Sequence, residues 1–266
     1  MSNDGLMSPA PSDRLHLPSV TLCAVSSTNL PATIEALRIC MQFVDFADAI
    51  LCTHATNAAS DAKGAIRVVP IERLTSARAY SQFMLTRLVD HIETEHCLVV
   101  QWDGHVIDPS RWRPEFLDYD YIGASWPQFD DGHEVGNGGF SLRSHRLMEA
   151  CRQDRFQAHH PEDVAICRTN RAVLEQQGMR FAPVELADAF AAERAGDLAD
   201  SFGYHGVFLM PRVLGVERYW RIYCALDERG SLRPDFWQLL REAKGGSRGA
   251  TRVLRMLFER ICDICR

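Results

Sequence analysis

The chain has 266 residues, of which 46% are hydrophobic and 24% are charged, and its formal charge is −6. This length and balance are those of a globular protein with a sizeable core, and they exclude a largely disordered chain. The net negative charge gives no basis for nucleic-acid binding, which usually requires a basic surface, so nucleic acid is not expected as a partner.

Residues 1–18 are rich in Ser, Pro, Asp and Asn and contain few large apolar side chains, which predicts a mobile tail before the fold. An odd number of cysteines, nine, lies mostly within apolar runs, which predicts buried free thiols in a reducing cytoplasm. Cys262 and Cys265 form one close pair, but no second pair or nearby histidine favours zinc over an ordinary helix. A cytoplasmic location is expected, because no run is apolar enough to span a membrane and no signal peptide precedes the fold.

Apolar runs and helical spacing alternate through the first hundred residues. They predict a strand at 20–25, a helix at 30–46, strands at 49–53 and 67–71, a helix at 77–95 and a strand at 97–100. This alternation predicts an α/β fold, a three-layer sandwich with a central, mainly parallel sheet and helices on both faces. Ligands of such sheets gather beyond the carboxyl ends of the strands.

The following residues are less regular and richer in Gly, Trp, Tyr and His. They predict strands at 119–124 and 139–142 and helices at 144–152 and 162–177, which completes one domain over residues 19–240.

Residues 241–266 carry seven Lys or Arg against three Asp or Glu. Val253, Leu254, Leu257, Phe258 and Ile261 recur there at helical spacing between arginines. The pattern predicts a basic amphipathic helix, which would either make a peripheral contact with the inner face of a membrane or pack on the domain.

Four local patterns carry chemistry, although each has a structural alternative. His205 stands between an aromatic residue and a glycine, as a later metal ligand or as a structural histidine. An apolar strand ends in Asp103 and a glycine, a position suited to a carboxylate ligand of Mg²⁺ or Mn²⁺ or simply to a turn. Gly138 and Gly139 lie in a glycine-rich turn that leads into a strand, where a substrate or another segment approaches the backbone closely. Glu162 and Asp163 begin a helix, as a catalytic acid pair or as favourable charges in its first turn.

Five motifs follow one another in a fixed order: QWDG at 101–104, YDYIGASW at 119–126, GNGGFSLRS at 136–144, PED at 161–163 and FGYHG at 202–206. Together they resemble a bacterial and fungal family of domains of unknown function that is related to GT-A glycosyltransferases. The resemblance covers about residues 20–206, and it implies a GT-A-like fold and a nucleotide-sugar donor.

The resemblance also implies roles for the site residues. Asp103 would be a metal ligand and Gln101 would stand where the Asp-x-Asp signature has its first acid, so the need for Mn²⁺ or Mg²⁺ stays open. His205 would complete the metal shell, with His105 as an extra candidate ligand. Asp163 would be the catalytic base.

Further roles concern the two substrates. Gly138 and Gly139 would lie beside the donor, Ser26 would hold the nucleotide and Tyr80 would line the base pocket. Glu162 would assist catalysis and hold hydroxyls of a glycan or glycolipid acceptor. Trp126 would stack on an acceptor sugar, with core packing as the alternative.

The expected activity is therefore an inverting glycosyl transfer to a hydroxyl acceptor in polysaccharide biosynthesis, with a retaining transfer left open. Two alternatives belong to other classes. A metal-dependent phosphodiesterase or nucleotidyltransferase would also use Asp103 and His205, and a catalytically silent glycan-binding module would fit the missing first acid.

Overall fold

A computed structural model describes residues 14–55, 64–246 and 248–264 of the chain. The chain divides into two compact units, residues 8–205 and residues 206–266, so the division falls well before the predicted boundary at 240. Residues 1–13 of the predicted tail lie outside the described part. The first strand begins at Leu15, within the stretch assigned to that tail.

The first unit is built on a six-stranded sheet in the order β3-β2-β1-β4-β7-β6. Its strands are β1 Leu15–Val25, β2 Val44–Thr53, β3 Arg67–Pro70, β4 His96–Val100, β6 Tyr121–Gly123 and β7 Phe140–Ser144. Neighbours from β3 to β4 pair in parallel, whereas β7 runs antiparallel to both β4 and β6. The predicted mainly parallel central sheet is confirmed.

Helices cover both faces of this sheet. Helix α1, Leu30–Phe43, contacts β1 and β2 through a buried side that includes Ile34 and Leu37. Helix α2, Ala77–Thr86, and the 3₁₀ turn Leu88–His91 pack through Met84 and Leu88 on a cluster that contains Cys23, Cys52 and Cys97 from three adjacent strands. Layers on either side of a buried sheet give the predicted three-layer sandwich.

The remaining helices of the first unit are short. They are α3 His145–Ala150, α4 Glu162–Val164, α5 Arg171–Gln176 and α6 Val184–Phe190. A π-helical turn, Ala165–Thr169, follows α4, so the helix predicted over 162–177 is interrupted. The helix predicted over 77–95 also ends early, because Arg87 leaves helical geometry.

A second, three-stranded sheet in the order β5-β9-β8 lies in the same unit. Its strands are β5 Gly104–Val106, β8 Ala191–Ala192 and β9 Gly203–His205. The antiparallel register of β5 and β9 places Gly104 opposite His205. Segments about a hundred residues apart in the chain therefore meet at this point.

The second unit is helical. Its helices are α7 Met210–Leu214, α8 Val216–Ala225, α9 Phe236–Ala243 and α10 Gly249–Ile264. The buried guanidinium of Arg252 binds Glu217 and donates to the carbonyl of Gly245 at 2.7 Å, which ties α10 to the rest of the unit. Across the described residues of both units, no helix has the length and hydropathy needed to cross a membrane.

All eight cysteines in the described ranges carry free thiols, and six of them are buried. This agrees with the thiol state predicted from the sequence. Cys265 of the predicted pair lies outside the described residues.

Candidate functional site

The polar residues singled out in the sequence meet where β4 ends and β7 begins. Gln101 directly follows β4, and its N–H donates to the carbonyl of Gly139 at 2.8 Å. Its side-chain Nε2 donates to the hydroxyl oxygen of Tyr80 at 3.2 Å. Gln101 thus joins α2 to the glycine-rich turn at the carboxyl edge of the sheet.

Asp103 and His205 face each other across the small sheet. Asp103 Oδ1 lies 3.4 Å from His205 Nε2. Both atoms are buried, and neither has a hydrogen-bond partner among the described residues. Buried polar atoms are normally satisfied, so two such atoms that converge indicate a place for a ligand or an ion.

The other ring nitrogen of His205 is held by an acid. His205 Nδ1 lies 3.2 Å from Glu193 Oε1. Burial disfavours a charge on the imidazole, but the carboxylates of Asp103 and Glu193 outweigh it and raise the pKa of His205 to about 10. In the absence of another cation, His205 is therefore an imidazolium between two carboxylates at neutral pH.

This arrangement fits a divalent cation. A carboxylate oxygen and an imidazole nitrogen are both ligand types that Mn²⁺ accepts, and at 3.4 Å apart Asp103 Oδ1 and His205 Nε2 would be close enough to hold one ion together. Glu193 supplies the outer carboxylate that commonly orients a metal-bound histidine. Since the described ranges contain no group of three or more His, Cys, Asp or Glu suited to a metal, other ligands would have to come from substrate and water.

The glycine-rich turn separates this pair from the two acids at the start of α4. A side chain at Gly139 would place its Cβ 2.0 Å from His205 Nε2. A side chain at Gly138 would place its Cβ 2.5 Å from the Oε1 of Glu162. Both positions require glycine because the side chains of His205 and Glu162 contact the backbone there.

Among the described residues, the hydrogen bonds that Asp163 accepts come from backbone N–H groups. Its Oδ2 accepts a hydrogen bond from the N–H of Gly138 at 3.1 Å, and its Oδ1 accepts one from the N–H of Val164 at 2.8 Å. Burial and the neighbouring charge of Glu162 raise the pKa of Asp163 above the ordinary value. A carboxylate with a raised pKa is a stronger base, which suits removal of a proton from a hydroxyl.

Glu162, by contrast, is bound by side chains of the protein. Its Oε2 accepts from the hydroxyl of Ser81 at 3.1 Å, and its Oε1 lies 3.4 Å from Arg143 Nη2. Arg143 is fully buried and also donates to the carbonyl of Gly138 at 3.3 Å. Ser81 is in turn 2.9 Å from Nδ1 of His160.

Four predicted residues lie at the edges of this site or apart from it. Ser26 follows β1, and its N–H donates to the carbonyl of Cys52 at 3.0 Å. Burial of the Tyr80 hydroxyl raises its pKa, and the negative charge of Glu162 raises it further.

The two aromatic candidates pack against other rings or in the core. His105 stacks edge-on against Tyr204, with 4.8 Å between ring centroids. Trp126 is only 8% exposed and belongs to the core, which is the packing alternative expected from the sequence.

Three residues of the candidate site were not predicted from the sequence. Glu193 lies outside every motif, and only the pairing of β8 with β9 reveals its position. Ser81 sits on α2 among ordinary helix residues. Arg143 does stand within the GNGGFSLRS motif, and a charged residue in the middle of a buried strand was the signal that could have identified it.

A mainly parallel sheet with a polar site beyond the carboxyl ends of its strands is the general arrangement of ligand-binding α/β proteins. The profile of the family described as "Protein of unknown function (DUF5672)" matches residues 63–205. The chain belongs to this family. No curated protein matches the chain.

Several solved structures are similar in fold. A glycosyltransferase involved in glycosylation of the major capsid of PBCV-1 has 12% identity and a TM-score of 0.45, over 78% of this chain and all of that one. A mannosyltransferase from Pyrobaculum calidifontis in complex with GDP-Man and Mn²⁺ has 11% identity and a TM-score of 0.42, over 97% and 84% of the two chains. A nucleotidyl transferase from Methanothermobacter thermautotroptrophicus has 14% identity and a TM-score of 0.39, over 61% and 85%. At these identities and TM-scores the similarity concerns the fold and does not identify an activity.

Proposed function

We propose that the protein is a glycosyltransferase that moves a sugar from a nucleotide-sugar donor to a hydroxyl of a glycan or glycolipid acceptor, with inversion at the anomeric carbon. The observation that supports this proposal most is the convergence of Asp103 Oδ1 and His205 Nε2, both buried and without hydrogen-bond partners in the described part of the chain. The two atoms lie beside the glycine-rich turn, whose backbone contacts the His205 imidazole at Gly139 and the base candidate, Asp163, at Gly138.

Asp103 and His205 would hold Mn²⁺ or Mg²⁺, with the donor diphosphate supplying further oxygen ligands. When bound, the cation supplies positive charge against the negative charge of the departing diphosphate. Glu193 would keep the imidazole of His205 in the orientation that turns Nε2 toward Asp103. Gln101, bound to Tyr80, would position α2 next to the donor.

Asp163 would act as the general base. The acceptor hydroxyl oxygen attacks the anomeric carbon, the bond from that carbon to the diphosphate oxygen breaks with its electron pair, and the hydroxyl proton passes to the carboxylate of Asp163. The N–H groups of Gly138 and Val164 hold that carboxylate in place. Glu162, bound by Ser81 and Arg143, would contribute its negative charge to the basicity of Asp163 and hold acceptor hydroxyls at its edge.

The test is incubation of the protein with a panel of nucleotide sugars and Mn²⁺. Release of nucleoside diphosphate from nucleotide sugars alone supports the proposal. Cleavage of plain phosphodiesters would instead identify a phosphodiesterase. Asp103→Ala should abolish the thermal stabilisation by nucleoside diphosphate and Mn²⁺, whereas Asp130→Ala, at an exposed position, should leave it unchanged.

One observation favours a second function, that of a catalytically silent glycan-binding module. The carboxylates of Asp103 and Glu193 raise the pKa of His205 to about 10, so a proton on the imidazole can serve in place of an ion as their counter-charge. Glycan binding without release of nucleoside diphosphate from any donor, in the same assay, would support this alternative.

A further inference from the structure

Helix α10 presents two opposite faces of different character. Arg252 and Met256 on its inner face are 1% and 0% exposed. Leu254, Phe258 and Ile261 are 69%, 67% and 61% exposed. Their spacing of four and three residues places them on one stripe, turned away from the inner face. We call these three residues the apolar stripe.

The apolar stripe is exceptional in the described part of the chain. With Trp237 on α9, which is 60% exposed, its members are the exposed large hydrophobic residues there. Single apolar side chains are common on protein surfaces, whereas a contiguous row of bulky ones marks a surface that contacts something.

The positive charge of the second unit favours a negatively charged partner for the apolar stripe. Residues 206–266 carry twelve Lys or Arg against seven Asp or Glu, a formal charge of +5, while residues 1–205 carry −11. Lys244 and Arg248 are exposed just before the stripe. The guanidinium of Arg260 lies 4.2 Å from the ring centroid of Phe236 and 5.7 Å from that of Trp237. The stripe is thus bordered by positive charge.

We propose that the second unit docks on an anionic lipid bilayer through the apolar stripe. A bilayer offers an apolar interior beneath a negative surface, which matches bulky apolar side chains bordered by Lys and Arg. Nucleic acid would match the charge but leave the apolar stripe in water. A second copy of the chain would cover the stripe but bring the same positive charges together.

The experiment is co-sedimentation of the full chain with phosphatidylcholine vesicles that contain or lack phosphatidylglycerol. The protein should bind only the vesicles with phosphatidylglycerol, and high salt should release it. Phe258→Gln should weaken the binding about tenfold, because one large side chain no longer leaves water. The matched variant Phe258→Leu, which stays apolar, should bind within a few-fold of the wild type.

Three results would overturn the proposal. These are equal binding of both vesicle types, wild-type binding by Phe258→Gln, and a dimer in size-exclusion chromatography that Phe258→Gln dissociates. The last result would assign the stripe to a second copy. The vesicles contain no nucleotide sugar, so the outcome is independent of the proposed transferase activity.

Discussion

At the scale of single residues, the adjacent acids Glu162 and Asp163 differ in the groups that bind them. Glu162 is bound by Ser81 and by the buried guanidinium of Arg143, whereas in the described part of the chain Asp163 accepts hydrogen bonds from backbone N–H groups alone. Burial and the charge of Glu162 therefore act on Asp163, and its pKa rises. The sequence identified both acids, and the family resemblance proposed Asp163 as the base, but the residues that distinguish their surroundings come from distant elements and could not be predicted.

Asp163→Asn should lower kcat by about 10²- to 10⁴-fold and leave donor affinity unchanged, because the proposed base is lost while the proposed metal and donor ligands remain. Initial rates and isothermal titration with donor measure the two effects. Asp154→Asn, at an exposed position, is the control. Retained turnover in Asp163→Asn would refute the assignment of the base.

The same variant should lose less stability than the wild type as the pH rises from about 3 to 7. The folded-state pKa of Asp163 is raised, so the folded protein binds this proton more tightly than the unfolded chain does. Wild-type stability is then lost as pH rises through the unfolded pKa, about 3.9, toward the folded one, whereas asparagine does not titrate. Asparagine also offers one acceptor oxygen to the two backbone N–H groups that Asp163 binds, so the comparison is of the change with pH in each protein. Urea unfolding at pH 3 and pH 7 should show the smaller change in the variant.

Arg143→Met should destabilise the fold by about 3–5 kcal/mol, because it leaves the buried carboxylate of Glu162 without its counter-charge. The double variant with Glu162→Gln should recover part of this loss. Urea unfolding measures both, and Arg155→Met, at an exposed arginine, should change stability by less than about 0.5 kcal/mol. A double variant no more stable than Arg143→Met would contradict the pairing.

At the scale of elements, long apolar runs were predictable and short strands were not. Strands β1, β2 and β4 are buried throughout most of their length, so their composition identified them. Strands β5, β8 and β9 have two or three residues each, too few for a periodic signal. They nevertheless bring His205 to Asp103, and for this reason the sequence suggested the ligands but could not show their contact.

Gly139→Ala should weaken apparent affinity for Mn²⁺ and donor about 10- to 100-fold, since the methyl group would lie 2.0 Å from His205 Nε2 and displace the imidazole. Binding is measured by titration with nucleoside diphosphate and Mn²⁺. In Gly245→Ala, whose added Cβ meets its nearest atoms at 3.4 Å, affinity should be unchanged. Wild-type affinity in Gly139→Ala would remove His205 from the site.

At the scale of the whole molecule, charge is divided along the chain. The residues that form the candidate site belong to a part with a charge of −11, and the C-terminal unit carries +5. The overall charge of −6 hides this division. The net charge of the whole chain therefore said little about partners. The net charge of each part shows that one is acidic and the other basic.

Added salt should change donor turnover and vesicle binding in opposite directions. An anionic donor approaching the acidic unit is repelled, so kcat/KM for the donor should rise a few-fold as ionic strength increases from about 10 to 150 mM and the Debye length shortens. Vesicle binding should fall over the same range. Donor kinetics in saturating Mn²⁺ and vesicle sedimentation measure the two trends, and a fall in kcat/KM would show that local positive charge dominates.

The contact between Asp103 and His205 predicts how the protein would behave when metal ions are scarce. A proton on His205 and a divalent ion are alternative counter-charges for Asp103, so removal of the ion exchanges one positive group for another. A chelator should therefore strip the site without unfolding the protein. For the transferase proposed above, manganese shortage would leave an intact, inactive reserve of the protein, which the returning ion would activate as it displaces one proton.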